Sequence, residues 1–178
     1  MHIMKKTLEA PMHRSRTILS LLLALLLSLS SCSNQAESTQ ALAAVRALCA
    51  DEATLPDGKL YICGEALEDA LSLSEEMQAA LFGNGSYPAA LDEAVVGVSY
   101  LSYTHPFEIT LFCAKSAHGA KKLAKMLLQR RDALLRHWEH SAYADAVQGA
   151  TVFIHGKWVL LSVTEDAEAT AKRLRRAV

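Results

Sequence analysis

The chain has 178 residues, 51% of them hydrophobic, and carries 18 lysines and arginines against 19 aspartates and glutamates, a formal charge of −1. That balance excludes the strongly basic footprint of a nucleic-acid-binding protein. The length suits one domain with a substantial buried core and is too small for a two-lobed solute-binding architecture.

The N-terminus comes first. Arg14 and Arg16 precede the run from Ile18 to Leu29, in which ten of twelve residues are apolar. A basic segment followed by a short apolar one is the layout of an export signal. A spanning helix needs about 20 apolar residues, so this run is short for a membrane crossing. The run ends in Leu29-Ser30-Ser31-Cys32. This resembles the lipobox of a bacterial lipoprotein signal peptide. Small residues let a peptidase grip extended backbone, and the Cys32 thiolate is nucleophilic enough to take a lipid as a thioether. Two acyl chains would give on the order of 20 kcal/mol of membrane affinity. Met12 can serve as the start, because residues 12–16 already form a basic leader. The expected layout is a signal peptide over 1–31, a lipidated cysteine with polar tether over 32–40, and a single domain over 41–178.

Within that domain, Leu42, Val45, Leu48 and Cys49 recur at helical spacing. Asp57-Gly58 marks a turn, and Leu60 to Cys63 can form a short strand. Residues 65–71 and 74–82 read as helical, with Ser72 and Glu75 spaced as a capping box. Gly83 to Ser86 and Pro88 end that region. Val95 to Tyr103 is rich in β-branched and aromatic residues. Thr104-His105-Pro106 makes a turn, and Phe107, Ile109, Leu111 and Cys113 alternate as in a half-buried strand. That alternation sends Glu108 toward solvent. Ser116 can cap a helix reaching about Glu139, with Ala120, Leu123, Ala124, Leu127, Leu134 and Trp138 near one face. Thr151 to Ile154 and Trp158 to Val163 are strands around a two-residue loop, His155-Gly156. Residues 165–177 form a closing helix, acidic at its start and basic at its end. The expected fold is α+β. A four-stranded antiparallel sheet in the order ββαββα follows an N-terminal helical segment, with helices on one face.

At this point the chain resembles a known family. Residues 74–177 are similar to uncharacterised bacterial lipoproteins called domain of unknown function 4358. The similarity is carried by Leu81-Phe82-Gly83, by Phe107 to Phe112, by the long charged helix, by Tyr143, and by Gly156 to Val163 before the last helix. Ala144-Asp145 stands where that family commonly has a proline. The resemblance implies a surface lipoprotein of Gram-positive bacteria and implies no activity or functional residues.

Residues 51–93 hold ten carboxylates and one base, Lys59, whereas residues 115–136 hold seven bases and one acid, Asp132. These segments are expected to attract one another inside the fold. Cys49 and Cys63 remain either thiols or a disulfide pair, since an exported protein permits one. His137 and His140, three apart on a helix, are the metal candidates, with Glu139 or Asp145 as a further ligand. Histidine near a helix C-terminus is equally favoured by the helix dipole. His105 and His155 read as turn residues. No G-x-S-x-G nucleophile motif is present, and Gly83 to Ser86 lacks the lysine of a phosphate loop. No cofactor is called for.

The expected function is that of a lipid-anchored module on the outer face of the bacterial cell membrane, binding or scaffolding an envelope protein or cell-wall component, with no catalytic apparatus. The alternatives are a metal-dependent envelope hydrolase using His137 and His140, or a small-ligand sensor with an apolar pocket between sheet and helices.

Overall fold

A computed structural model describes residues 35–50, 58–83 and 87–178. The leader, Cys32, Asp57 and residues 84–86 lie outside them. Residues Ala36–Val178 form one compact unit.

Residues 35–50 are helical (α1) and bury Ala41, Leu42, Val45 and Leu48. The stretch expected as a tether up to Gln40 is therefore helix from residue 35 onward. Gln, Ala and Glu are good helix formers, and Glu37 is held by Lys157 at 2.8 Å. Strand β1 is Gly58–Ile62 and β2 is Leu71–Ser72. No helix forms over 65–71. Leu67 and Ala70 instead exchange backbone hydrogen bonds of 3.2 and 3.0 Å, and Glu68 takes a positive φ of 55°. Arg46 of α1 pairs with Glu68 at 2.6 Å and also with Asp69, so a tertiary contact overrides local propensity here.

Helix α2 is Glu75–Phe82, capped by the Ser74 side chain accepting from Met77 N, not by Ser72. A 3₁₀ turn at Leu91–Glu93 leads into β3, Ala94–Ser102, and then β4, Glu108–Ala114. Helix α3 is Ala117–Trp138, capped by Ser116 accepting from Gly119 N at 3.0 Å. A short helix α4, Ala144–Gln148, precedes β5, Thr151–His155, and β6, Trp158–Val163. His155 pairs with Trp158, so the hairpin loop is Gly156-Lys157, one residue later than the sequence suggests, with Gly156 at φ 57°. Asp166 caps the last helix, α5, Ala167–Ala177.

The fold is α+β with a mixed six-stranded sheet in the order β2-β1-β3-β4-β6-β5. The expected four antiparallel strands are present as β3-β4-β6-β5. The correction is at the β3 edge, where β1 joins antiparallel and β2 joins parallel to β1. Helices cover both faces, not one. On one face α2, α3 and α4 pack Phe82, Leu123, Leu127 and Val147 against Phe112, Val159 and Leu161. On the other, α1 and α5 pack Leu42, Val45 and Leu174 against Ile109, Leu111 and Leu160. Strand β4 is therefore buried at every position, and its sequence EITLFCA is a near-continuous apolar run for that reason. Gly97 in β3 lies opposite Phe112, whose ring occupies the space a Cβ would take. That approach lets Phe112 meet Phe82 edge-to-face at 5.7 Å.

Cys49 and Cys63 are not joined. Cys49 packs on the α1–α5 side of the sheet and Cys63 on the α3 side, so the sheet separates them. The expected attraction between acidic and basic segments comes down to Lys122–Glu93 at 2.5 Å among the described residues. Lys121, Lys125 and Arg136 have no ion pair among the described residues, and Lys121 and Lys125 lie on the outer side of α3. A solvent-screened pair of this kind contributes little to stability.

Candidate functional site

A cavity of about 530 Å³ opens between the sheet and α3, at the end of the sheet where β3 turns into β4. Such a volume is within the range of small-molecule sites. Tyr61 of β1 and Met77 and Leu81 of α2 form one wall. Leu101 to Tyr103 and His105 to Phe107 form the rim at the β3–β4 turn. Arg130, Ala133, Leu134, His137 and Trp138 of α3 close the other side, and Glu108 lines it from β4.

Glu108 is the central correction to the sequence reading. The strand alternation does place it on the face opposite Ile109, but α3 covers that face, and Glu108 is 1% exposed. A buried carboxylate must be paired and hydrogen-bonded. Arg130 supplies this from α3, at the position one turn before Leu134 on its inward face. Its Nε and Nη2 donate to Glu108 Oε2 at 3.0 and 2.9 Å. Oε1 lies 2.8 Å from Thr110 Oγ1, which lies 2.9 Å from Ser99 Oγ. A carboxylate only accepts, so the single threonine proton goes to Glu108 and Ser99 donates to the threonine oxygen. The result is a fixed polar line across β3, β4 and α3. Removing one partner of such a buried pair costs about 3–5 kcal/mol, because the other charge is left uncompensated.

A second polar pair stands at the β1 side. The Tyr61 and Tyr103 hydroxyls are 3.0 Å apart. Burial, and then the Tyr103 hydroxyl, push the Tyr61 phenol up to about 12, so it stays neutral. Lys59 Nζ sits 5.7 Å from the centre of the Tyr103 ring. At the rim the aromatic rings meet edge-on. Tyr143 contacts His105 at 5.0 Å, Trp138 at 5.8 Å and Phe107 at 6.0 Å. These contacts hold the turn after β3 against the end of α3. His105 is thus a turn residue, as its place before Pro106 suggests, and a cavity residue as well.

The two metal candidates part company. His137 lines the cavity and packs edge-on against Trp138 at 5.4 Å. His140 is 93% exposed, with Glu139 at 3.5 Å as its neighbour. Among the described residues no three histidine, cysteine, aspartate or glutamate side chains converge to hold a metal ion. His155 stands on the outer end of β5, stacked on Phe153. Sequence reasoning sent Glu108 toward solvent and did not single out Arg130 or Tyr61 as site residues. The available signal was an arginine spaced with Leu123, Leu127 and Leu134, and an acid in an otherwise apolar strand.

No protein-family model matches the chain, and no curated protein or solved structure is similar to it.

Proposed function

We propose that this protein is a ligand-binding module of the bacterial cell envelope, held to the membrane through a lipid on Cys32, that takes a small molecule into the cavity beneath α3. The observation that carries the reading is the cavity itself. Its walls are mainly apolar and aromatic, and the few polar groups that converge on it, Glu108–Arg130 and the two tyrosine hydroxyls, are held by the fold. Preformed apolar concavity with few fixed polar groups is the usual make-up of a small-molecule site. The envelope location rests on the basic, apolar leader and the lipobox-like run from Leu29 to Cys32. A binding role of the cavity and a surface role of the lipid anchor are compatible, because the anchor uses only the chain's N-terminus.

Three water-soluble probes test the cavity: 4-fluorobenzyl alcohol, 4-fluorobenzylamine and 4-fluorophenylacetate, followed by fluorine NMR with the full chain in detergent. Ala133→Phe, which puts a ring into the cavity from α3, is the comparison at the same detergent concentration and cancels partition into micelles. At least one probe is expected to bind saturably to the wild type, and Ala133→Phe is expected to abolish that binding while keeping its cooperative unfolding. Equal signals from the two chains for all three probes overturn the reading.

A further inference from the structure

Arginine has two parallel donor forks, one formed by Nε and Nη2 and one by Nη1 and Nη2, and each fits a carboxylate. The first fork of Arg130 lies on Glu108 Oε2. The second makes no hydrogen bond among the described residues. It is not sealed in the core either: Arg130 lines the cavity and its side chain is 18% exposed.

The remaining lining fixes the sign of charge that suits this fork. Glu108 is the single carboxylate among the lining residues, and both of its oxygens are already engaged by Arg130 and Thr110. An incoming amine would therefore meet a satisfied acid and a fixed guanidinium. An incoming carboxylate meets open guanidinium donors, with His105 and His137 also in the wall. The tyrosine pair adds to this. Two hydroxyl protons serve one hydrogen bond between Tyr61 and Tyr103, which leaves one proton to donate. Met77, Leu81, Pro106, Leu134 and Trp138 supply apolar and aromatic surface for the rest of the molecule.

We propose that the cavity binds a small organic carboxylate, its acid group on the open fork of Arg130 and its apolar body between α2 and α3. This rests on the reading of the cavity as a ligand site and adds the ligand's chemical class. Glu108 is then a positioning residue: it touches no ligand and holds the guanidinium plane so that the second fork faces inward.

The same three fluorinated probes decide the class, because they share a ring and differ in charge. Hydrogen bonds to a charged group outweigh neutral ones, so 4-fluorophenylacetate is expected to bind at least about tenfold more tightly than 4-fluorobenzyl alcohol, with the amine weakest. Arg130→Lys keeps the positive charge beside Glu108 and removes the second fork. It is expected to bring the acetate to within about threefold of the alcohol. Where the lysine variant does not fold, the paired change Arg130→Gln with Glu108→Gln removes both charges together and carries the same expectation. An alcohol or amine that binds the wild type as tightly as the acetate overturns the carboxylate class and leaves the cavity reading standing. An acetate preference that persists in Arg130→Lys overturns the assignment to the guanidinium fork. No binding by any probe overturns both readings.

Discussion

Cys63 follows β1 on the α3 side of the sheet, and its backbone N–H donates to Gly97 O at 2.8 Å. Burial pushes its thiol from 9.0 up to about 12. The folded chain therefore keeps a proton that the unfolded chain releases above pH 9. The ionisation of Cys63 leaves stability unchanged below pH 9, and between pH 9 and 12 it lowers stability by about 1.4 kcal/mol per pH unit. The urea midpoint of the wild type is expected to fall more steeply from pH 8 to pH 11 than that of Cys63→Ala. Parallel curves would show that the thiol is not desolvated in the fold. Glu108 and Arg130 belong to the same scale. Each breaks the apolar pattern of its own element, and each exception is explained by the other, 22 residues away along the chain. Neither could be read alone, because an arginine on a helix is ordinarily a solvated residue and a glutamate in an alternating strand is ordinarily an outward one.

At the scale of elements, β4 carries the largest consequence. It lies between β3 and β6 with α3 above and α1 and α5 below, and Ile109 and Leu111 are fully buried on the lower face. Ile109→Ala is expected to destabilise the protein by about 2–5 kcal/mol, as large-to-small changes in a tight core do, and chemical denaturation measures it. A midpoint equal to that of the wild type would contradict burial on that face. The strands β3 to β6 and helices α3 and α5 were legible because period-two and period-3.6 patterns and the Ser116 cap are local signals. The turn at 67–70 was not legible, because Arg46, more than 20 residues away, holds it. The burial of Glu108 was not legible for a related reason: strand alternation says which residues share a face, and only packing says whether that face is covered.

At the scale of the whole molecule, the proposed anchor and the cavity lie in different parts of the chain. The domain has a cavity and no helix among its described residues long and apolar enough to cross a membrane. Membrane attachment in this reading depends on Cys32 alone. Cys32→Ala is expected to yield protein without acyl mass, either unprocessed with its apolar run retained or released from the detergent phase in a partition assay, whereas the wild type stays in that phase and carries acyl mass on its N-terminal peptide. A wild type without acyl mass, together with a mutant that still partitions into detergent, would remove the anchor from the proposal. The cavity experiments are unaffected by that outcome, because every lining residue lies between Tyr61 and Trp138.

What the sequence determined by itself was local: most strands and helices, the Ser116 cap, and the α+β class, each set by residues within a turn or two of one another. The tertiary structure alone decided the second helical layer of α1 and α5, the pairing of β1 and β2 onto the sheet, the separation of Cys49 from Cys63, and the cavity. These depend on contacts between segments far apart in the chain. Periodicity carries no record of such contacts, since it fixes which side chains point the same way and not what meets them there.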